Sequence, residues 1–326
     1  MALGQQEVKR HTETYKRLAA LTLASLLLCL SFIMSFFASF PVALAALLYG
    51  RSKGYGAAAI AWSLSFVISF FVFRDQVMFA TYTASLFVTV VSTETVLRNV
   101  SPMKGVVYGG SALLAIFMAA LFATFSAANL GVKEFLVKEI QSKKGQFEQS
   151  LKKQTGEASD EAFQVLALLE QPEVLAEKTL REAPGYIAMG IFLILWANIF
   201  LLLKSKRTLL GARMPYTDYD LTTFKAPEHL IWAVIAALGL AVFGDQVGEG
   251  AQALGMNALK VLGVFYFFQG FGLYVSFLDH VNLRGLLRAV LVILTVLMAA
   301  QVLALLGLFD MFVNFRRFMK KKDQGE

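Results

Sequence analysis

Residues 18–50 read LAALTLASLLLCLSFIMSFFASFPVALAALLYG, 33 residues without one Asp, Glu, Lys or Arg. A single helix of that length would rise about 50 Å at 1.5 Å per residue, well beyond the roughly 30 Å of a bilayer's hydrocarbon. Pro41 divides the run, because proline removes a backbone donor and clashes with the preceding turn. The stretch therefore reads as two short or kinked membrane segments, 18–36 and 42–49. Further charge-free runs follow at 54–73, 76–93, 105–132, 183–203, 229–244, 261–278 and 289–309. Together they predict an all-α fold, a polytopic transmembrane bundle of eight or nine segments.

Composition agrees with a lipid solvent. The chain is 57% hydrophobic and 16% charged, against about 25% charged in an average soluble domain. Its one cysteine, Cys29, lies in the first apolar run, so no disulfide framework within the chain is possible. The net charge of +7 sits beside the apolar runs, at Lys16 and Arg17, at Lys204, Lys206 and Arg207, and at Lys320, Lys321 and Lys322. That placement suits anionic headgroups and orientation rather than nucleic acid. The basic N-terminus followed by an apolar run resembles a signal peptide. The run is too long for one and no small-residue cleavage site stands out, so an uncleaved first span is expected.

Basic residues orient the chain. Nine crossings with a cytoplasmic N-terminus place 15 basic residues inside and 7 outside, leaving aside the 130–183 segment. Eight crossings give an even split, which orients nothing. The basic tail beginning at Arg316 dissents from the nine-crossing count. Either it lies outside, or another segment is re-entrant.

The predicted domains are an N-terminal membrane bundle, 1–129, a helical insert outside the bilayer, 130–183, and a C-terminal membrane bundle, 184–326. Leu136, Ile140, Phe147 and Leu151 recur at helical spacing within the insert. Ser159 is placed to cap a helix through Phe163, Leu166 and Leu169. Pro172 suits a helix's first turn, and Pro184 is expected to open the next span.

Small residues at four-residue spacing mark three faces for close helix packing: Ala57, Ala61, Ser65 and Ser69; Ala115, Ala119, Ala123 and Ala127; Ala233, Ala237 and Ala241. Ala20 and Ala24 form a shorter case. Polar side chains at membrane depth are the candidate solute-binding residues. Tyr82, Ser85, Thr89, Ser92 and Thr93 share a broad face, with Glu94 following. Tyr266 and Gln269 share another, with Gly270 and Tyr274 near. Two readings stay open for both faces: contact with a solute, or bonding within and between helices. Glu94 also stands four residues before Arg98, which fits an ion pair. No catalytic or metal-binding motif appears, and the three histidines lie at or beyond span ends. The sequence thus points away from an enzyme and implies no cofactor.

The segments Gly307-Leu308-Phe309-Asp310 and Phe315-Arg316-Arg317, with Phe267-Phe268-Gln269-Gly270 and Ala183-Pro184-Gly185, resemble the YybS-like family of bacterial membrane proteins. That family is distantly similar to the substrate-binding subunits of energy-coupling-factor transporters, through the first five or six segments, including Pro41 and Leu48-Tyr49-Gly50-Arg51. The resemblance implies a bacterial inner-membrane location and an unknown small solute. It also implies an energy-coupling membrane subunit docked at Ala20 and Ala24, with an ATPase behind it. The alternative is a non-transporting scaffold or regulator that binds other membrane proteins. The C-terminal spans and the insert depart from the six-helix pattern, and no ligand residue carries over.

Overall fold

A backbone in hydrocarbon must satisfy its own hydrogen bonds, which leaves helices as the solution for apolar runs of this kind. The computed structural model describes residues 2–31, 34–74, 76–128, 131–154, 170–210 and 215–319, and all regular elements among them are helices. They are α1 (Ala2–Leu30), α2 (Ser39–Tyr49), α3 (Arg51–Val67), α4 (Gln76–Leu97), α5 (Pro102–Ala128), α6 (Val132–Gln154) and α7 (Pro172–Leu210). Then come α8 (Asp218–Thr222), α9 (Leu230–Val247), α10 (Glu249–His280), α11 (Gly285–Met298), α12 (Ala300–Val313) and α13 (Arg316–Met319).

Among the described residues six helices are long and apolar enough to cross a membrane, or seven if α11 and α12, bent by 93°, count as one span. The expected eight or nine segments are not reached by this measure, and the reason lies in 18–50. The charged residues of α1 run to Arg17, leaving only its second half apolar, and the apolar stretch Ser35–Tyr49 is short. The break falls before Pro41, at a 3₁₀ turn over Ser35–Phe37. Pro41 itself sits in the first turn of α2, where a missing N–H leaves no bond unmade. Gly50, at φ +91°, ends α2 and turns the chain into α3.

Pro184 lies inside α7 rather than at its start. Proline disturbs the ladder just around it, and a side chain mends the gap. Asn257 Oδ1 accepts the Gly185 N–H at 2.9 Å, and Asn257 Nδ2 donates to the Arg181 carbonyl at 2.7 Å. The carboxamide thus stands between two groups that a regular helix would pair directly.

The chain falls into two compact units, one of 1–113, 190–228 and 263–326, the other of 114–189 and 229–262. In the first unit Ala57, Ala61, Ser65 and Ser69 are all buried. Gly54 meets Ala46 so closely that a side-chain carbon there would collide with its backbone. An aromatic cluster joins α7 to α10. Trp196 stacks on Phe268 at 5.0 Å and on Phe200 at 5.5 Å, with Phe271 edge-on at 4.9 Å. In the second unit Ala237 is buried, and its carbonyl would block any side chain at Gly255. The stripe Ala115, Ala119 and Ala123 is exposed instead. Ser159, Phe163, Leu166 and Leu169 lie outside the described residues, as do the side chains of Ala127, Phe147 and Leu151.

Candidate functional site

The polar face of α4 is buried within the first unit, and most of its hydroxyls are taken. Tyr82 shares a hydrogen bond of 2.9 Å with Ser25 of α1. Ser85 donates to the Tyr82 carbonyl at 2.8 Å, Thr89 to the Ser85 carbonyl at 3.0 Å, and Ser92 to the Val88 carbonyl at 2.6 Å. Thr89 also lies 3.4 Å from the Ser39 carbonyl. Ser39 in turn donates to Asn198 Oδ1 at 2.7 Å, and Asn198 Nδ2 reaches the Phe36 and Ile194 carbonyls. Thr93 Oγ1 is buried without a partner. One turn bonds to the next here, α1 and α2 bond to the face directly, and α7 reaches it through Ser39.

Glu94 is held by more than the pair its spacing suggests. Arg51 reaches it with Nε at 2.9 Å and a second nitrogen at 3.1 Å. Arg98 Nε lies at 2.6 Å, and the Tyr55 hydroxyl donates at 2.8 Å. This carboxylate ties the start of α3 to the end of α4.

The second predicted face belongs to a buried polar node. Gln269 is 2% exposed and Asp310 3%. Gln269 Oε1 accepts the Ala226 N–H at 2.8 Å, and its Nε2 donates to Asp310 Oδ2 at 3.0 Å. Asp310 Oδ1 accepts the Phe315 N–H at 2.8 Å, which fixes the turn where Asn314 is left-handed, φ +50°. Arg316 donates to the carbonyls of Thr222, Phe224 and Gln269 at 3.2–3.4 Å. Its Nε is 4.0 Å from Asp310 Oδ2, beyond hydrogen-bond reach. Burial pushes the Arg316 guanidinium below its ordinary value, and the Asp310 charge opposes that shift. Gly270 and Gly307 bring α10 and α12 into backbone contact, since a side-chain carbon at either would strike the Leu303 or Tyr266 carbonyl.

Tyr266 is 3% exposed and its hydroxyl has no partner. The indole nitrogen of Trp196, within the aromatic cluster, is likewise buried and unpaired. Ala20 is exposed and Ala24 half-buried on α1. The second unit holds a cavity of about 550 Å³ lined by Glu177, Lys178, Arg181, Glu182, Gln252 and Met256 among others. Several of its charges are already paired: Glu177 with Lys133 and Arg181, Glu182 with Lys260. Among the described residues no three His, Cys, Asp or Glu side chains stand together as a metal site.

The structure therefore joins Gln269 to residues that the sequence argument had not put beside it. Asp310 and Arg316 carried a signal, an acid at the end of an apolar run with two arginines six and seven residues on. Asn257 carried none, because a lone amide near a span end is common.

A family model described as a predicted membrane protein, DUF2232, matches residues 18–311. No curated protein and no solved structure matches the chain. With a match over most of its length and a set of apolar membrane-length helices, the chain belongs to the DUF2232 family of predicted membrane proteins.

Proposed function

We propose that the protein is a transport-related membrane subunit that binds a small solute beside Tyr266. The observation that supports this reading is the buried Tyr266 hydroxyl, with no partner in the protein. An unpaired buried donor costs about 1–3 kcal/mol, and a polar solute with acceptor atoms would relieve that cost. The energy for movement would come from a coupling subunit docked along Ala20 and Ala24, with an ATPase as its motor, as the resemblance to energy-coupling-factor subunits implies. A second reading is a scaffold or regulator of other membrane proteins. It is favoured by the α4 face, where Tyr82, Ser85, Thr89 and Ser92 are already bonded.

The test is a solute screen on the purified protein in nanodiscs, with Tyr266→Phe alongside. The variant deletes only an unpaired hydroxyl, so the fold should keep its melting temperature. Saturable binding that the variant weakens tenfold or more supports the solute reading. Absence of binding across the screen, together with stable co-purification of membrane proteins other than an ATPase complex, supports the scaffold.

A further inference from the structure

The helix pair α11–α12 follows α10 only part of the way through the membrane. Arg288 pairs with Asp279 near the end of α10. Further in, Thr295 donates to the Tyr274 hydroxyl at 2.9 Å, and that hydroxyl lies 3.4 Å from the Leu291 carbonyl. After the 93° bend at Ala299, Leu303 meets Gly270 and Gly307 meets Tyr266. Tyr266 is fourteen residues from His280, about 21 Å of helix, which falls short of the roughly 30 Å of hydrocarbon.

Beyond Gly307 the contacts turn back. Asp310 reaches Gln269, and Arg316 reaches the Gln269, Thr222 and Phe224 carbonyls. Helices α7 and α10 run in step here, Phe192 beside Phe265, Trp196 beside Phe268 and Phe200 beside Phe271. Gly272 is thus level with the turn of α7 that ends in Lys204, and a side-chain carbon at Gly272 would lie 3.0 Å from Arg316. Lys225 reaches Asn314 Oδ1 at 3.5 Å, and the Arg317 N–H bonds to the Asn314 carbonyl. Both cations are exposed. Arg74, at the far end of α3 and α4 from Arg51 and Glu94, marks the opposite face of the same unit.

We infer that 285–313 is a re-entrant hairpin which returns the C-terminal tail to the face of Lys204 and Lys225, where Lys225 and Arg317 bind anionic phospholipid headgroups. Two exposed cations around one asparagine, at the rim of an apolar bundle, match the charge of such headgroups. The re-entrant backbone is tolerated because Gly270 and Gly307 bury it against α10.

The test uses the full chain carrying Cys29→Ser, with a single cysteine introduced as Arg74→Cys, Lys225→Cys or Arg317→Cys. A membrane-impermeant maleimide is applied to intact cells and to inverted vesicles. Labelling of positions 225 and 317 from one side and 74 from the other is expected; position 317 labelling together with 74 overturns the hairpin. For the lipid, native mass spectrometry compares phosphatidylglycerol with phosphatidylcholine retained after detergent extraction. Lys225→Gln and Arg317→Gln should each reduce the preference for phosphatidylglycerol about fivefold. An unchanged preference in the double variant overturns the headgroup site even when the sidedness is as expected.

Discussion

Asp310 holds a turn, an amide and a nearby guanidinium at once, so its variants grade the loss of those contacts. Asp310→Ala leaves Arg316, 12% exposed at its side chain, without its compensating charge. Removing one member of a buried ionic contact costs about 3–5 kcal/mol. Asp310→Asn keeps an acceptor for the Phe315 N–H but loses the charge and the acceptor for Gln269 Nε2, so it should be the milder change without being neutral. Denaturant unfolding in detergent should rank wild type, Asn, then Ala; equal stability of the three would remove the node from the list of fold determinants. Gln269→Leu strands the Ala226 N–H, at a cost of about 1–3 kcal/mol. Gln269 is therefore a poor probe of solute binding, because its loss disturbs the fold as well. Tyr266 makes a better probe, since nothing in the protein depends on its hydroxyl. The sequence marked Tyr266, Gln269 and the α4 hydroxyls as polar groups in an apolar setting, and all are buried. It could not name their partners, because pairing across 41 residues, as between Gln269 and Asp310, leaves no local periodicity.

At the scale of helices, spacing tells which face is small or polar but not what faces it. Two stripes show the difference. Ala57, Ala61, Ser65 and Ser69 pack into a core, whereas Ala115, Ala119 and Ala123 face outward with the same spacing. Proline behaved likewise. Pro41 reads as a break and Pro184 as the start of a span, yet Pro41 serves in a first turn and Pro184 sits within a continuous helix. The second outcome depends on Asn257, seventy-two residues from Gly185, which bridges the disturbed ladder. Asn257→Leu should leave the Gly185 N–H and the Arg181 carbonyl unpaired, destabilising the protein by about 1–3 kcal/mol. Faster amide exchange at Gly185 than in the wild type would locate the effect. Unchanged exchange there would mean that water, not Asn257, satisfies the ladder.

For the molecule as a whole, charge sets the direction of insertion and apolar surface sets the solvent. Phe71, Val72, Trp232 and Leu297 are each more than two-thirds exposed, a surface that suits acyl chains and would drive aggregation in water. In the orientation that the basic residues predict, with the N-terminus inside, a re-entrant last helix pair puts the five basic residues of the tail on the inner side. Apart from the 130–183 segment, the outer loops then keep only Arg74 and Lys260. An imbalance that large should survive partial erasure, because the positive-inside bias sums over short loops and no single one decides it. Replacing Lys9, Arg10, Lys16 and Arg17 together by Gln removes the flank of the first span. It leaves Arg51, Lys53, Arg98, Lys104 and the 204–225 loop in place. The orientation should hold: an Arg74→Cys reporter, in the Cys29→Ser background, should still label from outside intact cells with the impermeant maleimide. Labelling only from inverted vesicles would show that the first span alone dictates topology. The later loops would then be passengers of that decision, despite carrying most of the positive charge.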